Sequence, residues 1–353
     1  MLLNILYILI GFALLVKGGD FLIDGAVAIA KRAHLSTMVI GITVIGFGTS
    51  MPELLVSTQA AWIGSSGLAI GNVAGSNIAN VALILGLTSL IKPLPATKQM
   101  LRIDLPFMIL AMILLLLAAA TNGGTIERWQ GIIMTILLIA FISWEVSYSR
   151  HQQKRGAAAL AASASTGPVA SVHAGNPSSG SVGGGSPVAM SEAPAPMPLW
   201  KALLLVLISL AAMVFGADLL IDGSSAIAMT LGEQFGVSQA AMERIIGLTV
   251  VAVGTSLPEL FASLMAARRG ETDMAVGNII GSVTFNILSV VGIASAITPI
   301  QDAWTPFLID YAVMFSLGIF LWVFLRTHRA IVRWEGALLF LAYILYIIYT
   351  FYI

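Results

Sequence analysis

The chain of 353 residues is 58% hydrophobic and only 10% charged, with seventeen basic and seventeen acidic residues. A soluble domain has roughly 25% charged residues, so this composition argues against a soluble protein. The balanced charge argues against a nucleic-acid-binding protein, and the lack of cysteine excludes disulfides, thiolate metal sites and cysteine nucleophiles. The composition therefore predicts an all-α polytopic membrane protein embedded in a lipid bilayer.

Long uninterrupted apolar runs, such as 107–120 and 336–353, are typical of membrane helices, whereas a membrane barrel shows short alternating strands. In chain order the runs predict ten spans, at about 2–30, 36–64, 68–91, 104–121, 126–147, 199–230, 244–267, 274–298, 306–325 and 335–353. The first run lacks a small-residue cleavage signal, and we expect it to be retained as a span.

The lysines and arginines predict the orientation of these spans. Fourteen of the seventeen fall on one side of the arrangement, whereas only Arg128 and Arg244 fall on the other side and Lys17 lies within the first span. Basic loops stay in the cytoplasm. The distribution therefore predicts a multi-pass protein of the cell inner (plasma) membrane with both termini outside.

The segment 149–198 differs in composition from everything around it. It consists largely of Ala, Gly, Ser and Pro, which cannot form a packed core, and it predicts a disordered cytoplasmic linker. The linker would separate a first half, residues 1–148, from a second half, residues 199–353. Each half would contain five spans.

The two halves repeat each other. Gly-Thr-Ser-Met-Pro-Glu at 48–53 returns as Gly-Thr-Ser-Leu-Pro-Glu at 254–259, and the Gly-Asn-x-x-Gly-Ser motif at 71–76 returns at 277–282, both displaced by 206 residues. The aspartates of spans 1 and 6 repeat at 198 residues, which implies an insertion near 231–241. Because five is odd, the second half enters from the opposite side. This pattern predicts two inverted five-helix repeats with broken helices at the midplane, as in secondary transporters.

The Gly-Thr-Ser-x-Pro-Glu motif lies in the middle of a span. Pro52 and Pro258 lack an amide hydrogen, so the carbonyl four residues earlier loses its helical partner. Freed carbonyls, hydroxyls and carboxylates are ligands of hard cations. Alternatively, Ser50 and Glu53 form a capping box that begins a helix. An ionisable residue at membrane depth is functional by default, and its duplication favours an ion site, with which a capping role is compatible.

The second motif continues to an asparagine in both halves. Ser76 and Asn80 are four residues apart and share one helix face, as do Ser282 and Asn286. The glycines of the motif allow close helix approach, and Ser and Asn are also common interhelical contacts. Their position one span after each glutamate favours a ligand role.

Other acidic residues give weaker signals. Asp20 and Asp24, with their repeat counterparts Asp218 and Asp222, are predicted to line a pathway or to stabilise a sliding helix pair, and Lys17 is predicted to pair with one of them. Asp104 and Asp310 are predicted to anchor span ends at the interface.

The paired motifs resemble the alpha repeats of the cation/calcium exchanger superfamily, and within it the prokaryotic sodium/calcium exchangers. The resemblance implies a secondary active antiporter and not an enzyme, with Ca²⁺ and Na⁺ as transported ions, no cofactor and no evident protein partner. Glu53 and Glu259 would be the central calcium-binding carboxylates. The remaining implied ligands are the carbonyls of Thr49 and Thr255 for calcium, the side chains of Ser50, Ser76, Ser256 and Ser282 with the carbonyls of Gly46 and Ala252 for sodium, and Asn80 and Asn286 in the central site.

The sequence departs from the family pattern at two points. Some members carry an aspartate at one of the two asparagine positions. Both positions are asparagine here, so this site holds two formal negative charges and not three. Val283 replaces the asparagine that the first repeat has at Asn77. Two alternatives stay open: a Ca²⁺/H⁺ or K⁺-coupled exchanger using the same glutamates, and a cation channel. An intramembrane enzyme is disfavoured because no histidine lies at membrane depth.

Overall fold

The computed structural model describes residues 2–165, 197–234 and 252–352. Its helices are α1 (Leu2–Ala33), α2 (Thr37–Thr49), α3 (Met51–Trp62), α4 (Ser66–Ile91), α5 (Met100–Ala120), α6 (Arg128–Ser165), α7 (Leu199–Gln234), α8 (Ala252–Gly254), α9 (Leu257–Arg269), α10 (Thr272–Ile297), α11 (Thr305–Thr327) and α12 (Arg333–Tyr352). One short antiparallel pair joins β1 (Leu94–Pro95) to β2 (Ala330–Ile331).

The described helices confirm a multi-pass membrane protein. Seven of them are long and apolar enough to cross a membrane, and the bent pair of α2 and α3 raises the number to eight. The predicted seventh span begins in residues outside the described ranges, and α12 lies where the tenth span is predicted. The full set of ten spans therefore stays a prediction.

The helix α6 runs past the predicted end of the fifth span. It continues to Ser165, so residues 149–165 are helical, where the sequence predicts disorder. Alanine has the highest helix propensity, and the Ala-rich run 157–165 extends the helix instead of ending it. Residues 166–196 lie outside the described ranges, and the division of the chain into two halves by a linker stays a prediction.

Two long helices form a unit beside the others. Helices α1 and α7 pack antiparallel along their length: Gly11 lies against Gly216, and Gly25 lies against Ala202 and Val206. A side chain at Gly11 would come 2.5 Å from the carbonyl oxygen of Gly216. Elsewhere α1 contacts mainly α9, where the rings of Phe12 and Phe261 meet with centroids 5.6 Å apart.

The helices that carry the repeated motifs lie in the interior. Within their most apolar windows, 89% of the residues of α10 and 72% of those of α4 are buried, against 22% for α1. The first part of α2 packs directly on the backbone of α10, where Gly281 faces Ile42. This contact brings the first-half break and the second-half motif into one layer.

The repeated motifs adopt the same backbone in both halves. The helix breaks have matching conformations, with φ −83° and ψ 4° at Ser50 and φ −91° and ψ 6° at Ser256. Each buried helix then widens into a π-helical turn at nearly the same place, over Ala79–Ile84 in α4 and, one residue later in the repeat, over Asn286–Val291 in α10. Equal sequence spacing therefore gives equal local geometry.

Candidate cation site

Both glutamates lie in the first turn of a helix that begins at a break. The axis bends by 46° between α2 and α3, and Pro52 occupies an early position of α3 where its missing amide hydrogen is tolerated. Glu53 follows it, and Glu259 has the same place in α9. Both side chains have 0% exposure. Early amides at a helix start point toward negative charge and favour it.

The capping-box alternative is wrong for both motifs. Neither Ser50 nor Ser256 caps its helix with a side-chain hydrogen bond. The Ser50 hydroxyl instead donates to Glu259 Oε1 of the other half at 3.4 Å, and the Ser256 hydroxyl has no partner among the described residues. Neither hydroxyl therefore bonds to the first turn of its own helix, and both are buried in the interior.

The two buried carboxyl groups lie close enough to interact electrostatically. Neither forms a salt bridge with a basic side chain in the described ranges. Both oxygens of Glu53 and Oε2 of Glu259 accept no hydrogen bond there, although Ser76 lies beside Glu53. Buried carboxylates without compensation are strongly unfavourable. A bound cation would supply the missing charge.

Two asparagines add oxygens to the same region. Both are fully buried, and the turns that carry them cross between halves: the turn with Asn80 packs against α9, and the turn with Asn286 packs against α3. Both amide atoms of Asn80 and Oδ1 of Asn286 have no hydrogen-bond partner within the described chain. The donor set is thus two carboxylates with amide, hydroxyl and carbonyl oxygens, which suits a hard cation.

The first break also joins the two halves through hydroxyl groups. Thr49 Oγ1 lies 3.4 Å from Asn278 Oδ1 and 3.5 Å from Ser282 Oγ. Ser282 in turn donates to the Gly46 carbonyl at 3.4 Å. The structure therefore brings three of the predicted ligand residues together: Gly46, Thr49 and Ser282. Their role as ligands stays a prediction.

The second break is described only in part. The short helix α8, which includes Ala252, packs against α4 and α7, and Thr255 is half-buried. No hydrogen bond joins Thr255 to the other predicted residues within the described ranges, and residues 235–251 lie outside those ranges. The other ten predicted residues are buried: Gly46, Thr49, Ser50, Glu53, Ser76, Asn80, Ser256, Glu259, Ser282 and Asn286.

A supporting contact that the sequence did not predict occurs in both halves. Asn72 donates to Ser57 Oγ at 2.9 Å and to the Glu53 carbonyl at 3.4 Å. Asn278 makes the same two bonds in the second half, to Ser263 Oγ at 2.9 Å and to the Glu259 carbonyl at 3.3 Å. These asparagines hold the backbone of each glutamate in place. The signal was available, because Ser57 and Ser263 are also 206 residues apart.

Asn77 gives the site an asymmetry. Its Oδ1 accepts a hydrogen bond from Asn286 Nδ2 at 3.2 Å, which leaves the oxygen of Asn286 free. The second repeat has Val283 at the matching position, so Asn80 receives no equivalent bond. Asn77 therefore orients one amide ligand, and the other has no such support.

We expect Asn77→Val to raise the calcium concentration needed for half-maximal transport by about three- to tenfold, because a buried hydrogen bond is worth about 1 kcal/mol. The measurement is the calcium dependence of uptake into proteoliposomes. Thr88→Val is the matched control, since Thr88 is buried on the same helix and its hydroxyl has no partner among the described residues. An unchanged calcium dependence in Asn77→Val would contradict the role assigned to it.

The aspartates of span 1 pair with a different residue than predicted. Arg269, at the end of α9, bonds to Asp20 at 3.1 Å and also pairs with Asp24. The predicted pairing of Lys17 is therefore wrong within the described residues. Asp218 and Asp222 are exposed on α7.

The two interfacial anchors behave differently. Asp104 has 0% exposure and faces Glu145 of α6, so its predicted place at the interface is wrong. Asp310 is half-buried and accepts a hydrogen bond from the Tyr346 hydroxyl at 2.8 Å. Apolar helix ends look alike in sequence whether they face lipid or protein, which hides the burial of Asp104.

Known proteins give an independent comparison for this geometry. The chain is 34% identical over 349 residues to the putative antiporter CaxA of Alkalimonas amylolytica, covering 98% of both chains. It is 31% identical over 372 residues to the sodium/calcium exchanger MaX1 of Methanosarcina acetivorans, covering 99% of both. The structure matches the solved sodium-calcium exchanger NCX_Mj with a TM-score of 0.73 and 29% identity, over 98% of this chain and 97% of that one.

The family match covers the two halves and leaves out most of the segment between them. The sodium/calcium exchanger protein family matches residues 3–146 and 201–352, which include every predicted ligand. Family proteins of this kind are membrane transporters and not an enzyme class. Buried paired carboxyl groups, the mirrored breaks and these matches agree: the chain belongs to the sodium/calcium exchanger family and is a cation/Ca²⁺ exchanger of its prokaryotic branch.

Proposed function

We propose that this protein exchanges Ca²⁺ for Na⁺ across the cytoplasmic membrane by alternating access. One observation carries the proposal: Glu53 and Glu259 are buried close to each other, without a basic partner in the described chain, and three of their four carboxyl oxygens accept no hydrogen bond there. Two carboxylates balance one Ca²⁺, and they also suit Na⁺ ions bound in its place. Because the same ligands serve both ions, the two loads exclude each other.

The ligand set follows from the buried polar atoms. Glu53 and Glu259 with Asn80, Asn286 and the carbonyls of Thr49 and Thr255 would hold calcium. The serines and the carbonyls of Gly46 and Ala252 would line the sodium positions. The resemblance assigns these roles, and the burial of ten of the twelve residues supports them.

The helix arrangement supports a sliding movement. Helices α1 and α7 pack on each other along their length, whereas α1 meets the interior helices mainly along α9. We infer that this pair moves as one unit and exposes the site to either side. Without a bound ion, the two buried charges would oppose the movement. This coupling of ion binding to helix movement would produce exchange of one ion for the other and prevent movement of the empty site.

The ion pairs of Arg269 lie between the two parts. Arg269 belongs to α9, while Asp20 and Asp24 belong to α1, so their contact joins the inner helices to the sliding pair. They lie on the side rich in Lys and Arg, which we assign to the cytoplasm together with both termini on the outer side. The contact would hold that side closed in the conformation described.

Coupling to sodium is tested with three ion gradients. Purified protein is reconstituted into vesicles loaded with Na⁺, and Ca²⁺ uptake is followed after dilution into sodium-free buffer. We expect uptake to require the outward Na⁺ gradient, and neither a pH gradient nor a K⁺ gradient alone should drive it. Uptake driven by pH or K⁺ would instead favour the alternative exchangers. A calcium current without any counter-ion would identify a channel and contradict exchange.

A further inference from the structure

A second buried acidic pair lies away from the transport site. Asp104 near the start of α5 and Glu145 of α6 both have 0% exposure, and their carboxyl groups face each other between the same two helices whose Phe107 and Phe141 rings stack. Gln99 donates its side-chain amide to Glu145 Oε1. Both oxygens of Asp104 and Oε2 of Glu145 have no donor in the described residues. Two facing carboxylates cannot hydrogen-bond unless one of them carries a proton.

The basic and titratable groups nearby do not compensate the pair. Arg102 and Arg150 are exposed, and neither forms a salt bridge with Asp104 or Glu145 in the described chain. The helix α2, which lies next to α6, carries no titratable residue, and Asp273, the one titratable residue of α10, forms no salt bridge in the described chain. On α11, Arg326 lies over the Trp322 ring and Asp310 accepts from Tyr346. Burial without a counter-charge favours a neutralised carboxyl group.

The second half of the chain has an equivalent contact between helices in which the donated proton is already present. Asp310, which repeats Asp104 at 206 residues, meets the hydroxyl of Tyr346 on the following helix. A phenol brings its own proton, whereas in the first half the partner is a carboxyl group. The same helix-to-helix bond there requires an added proton. Because Gln99 already donates to Glu145, that proton resides on Asp104 and points to Glu145 Oε2.

We propose that Asp104 and Glu145 form a proton-binding site, in which one shared proton fastens α5 to α6. This site does not depend on the transport function proposed above. Loss of the proton would leave two buried negative charges in contact and would separate the helix ends. The packing of α5 on α6 is therefore sensitive to alkaline pH.

The direction of the pH effect follows from proton linkage. The folded protein holds a proton that the unfolded chain, with ordinary carboxyl groups, has released at neutral pH. Since the unfolded state binds fewer protons, stability falls as the pH rises. Asp104→Asn replaces the protonated carboxyl by an amide that donates the same bond at every pH. The variant should lose this part of the pH dependence.

The experiment compares thermal unfolding of the purified full chain at about pH 6 and about pH 9, a range above the ordinary carboxyl titration. Between these two pH values, we expect the unfolding temperature of the wild type to fall by about 5 °C more than that of Asp104→Asn. Asp310→Asn is the matched control, because Tyr346 supplies the proton there, and it should keep the wild-type slope. Asp104→Asn should also retain sodium-driven calcium uptake, which separates this site from the transport site.

Infrared spectroscopy gives a second readout that does not depend on stability. The protonated carboxyl band of the wild type at about pH 6 should lose intensity in Asp104→Asn, since that carboxyl carries the proton. Parallel unfolding curves and an unchanged band would overturn the proposal. If the band difference is absent and Ca²⁺ raises the midpoint of the wild type more than that of Asp104→Asn, the pair binds a metal ion and the shared proton is wrong.

Discussion

Glu53→Gln and Glu259→Gln are each expected to abolish sodium-driven calcium uptake. Each change removes one of the two negative charges that balance a bound cation, and it leaves the other carboxylate buried beside a neutral amide. Removing one partner of a buried ion pair, here the carboxylate that contacts the bound cation, typically costs about 3 kcal/mol or more. This cost corresponds to at least about a hundredfold loss of cation affinity. Uptake into sodium-loaded vesicles is the measurement.

The control for these variants is the same substitution outside the site. Glu127→Gln changes a half-buried residue just before α6, away from both breaks, and should leave uptake unchanged. Size-exclusion profiles of all three variants establish that they are folded. Normal uptake in both Glu53→Gln and Glu259→Gln would remove the carboxylates from the transport site, whatever the family resemblance implies.

Gly281→Val is expected to prevent normal packing of α2 against α10. A Cβ atom at Gly281 would lie 2.4 Å from the carbonyl oxygen and 2.7 Å from the Cα atom of Ile42. Both atoms belong to the backbone, so no side chain can turn away to make room. The helices would have to separate, and overpacking of this kind costs about 1–3 kcal/mol, occasionally more.

The expected result is a drop of the apparent unfolding temperature by about 5 °C or more, together with a loss of monodisperse protein. The same displacement would separate Thr49 from Asn278, so calcium uptake per folded molecule should also fall. Ala312→Val adds a β-branched side chain at an exposed position of α11 and serves as the control. Equal behaviour of Gly281→Val and Ala312→Val would show that the close helix approach is wrong.

The paired glutamates also explain why exchange is obligatory in our proposal. The described chain places no lysine or arginine in salt-bridge contact with Glu53 or Glu259, so in the proposed mechanism a bound cation neutralises them. A transporter with a basic residue at this place could reorient while empty. Because none contacts the two glutamates in the described part of the chain, the bound ion itself would permit the movement in this proposal.

The amide at Asn286 also leaves the site with only two formal negative charges. An aspartate there would add a third negative charge, whereas the amide adds an oxygen without charge. Asn77 then has a defined task, because a neutral amide must be turned so that its oxygen and not its nitrogen faces a cation. A carboxylate would need no such orientation.

The sequence by itself determined the class of the protein and the position of its carboxylates. Apolar run length identifies membrane helices regardless of their neighbours, and a constant spacing of 206 residues identifies Glu53 and Glu259 as equivalent. Both signals are local or linear, so one chain is sufficient to read them. The family and the multi-pass helical fold are confirmed by the matches and the helices.

Only the tertiary structure decided which side chains meet. In a membrane protein the lipid-facing and protein-facing sides of a helix are both apolar, so hydrophobic periodicity does not give the rotation of the helix. The contacts of Ser50 with Glu259, of Asp20 with Arg269 and of Asp104 with Glu145 were therefore hidden in the sequence. Each of them joins residues from distant spans, and each depends on the depth and rotation at which those spans pack.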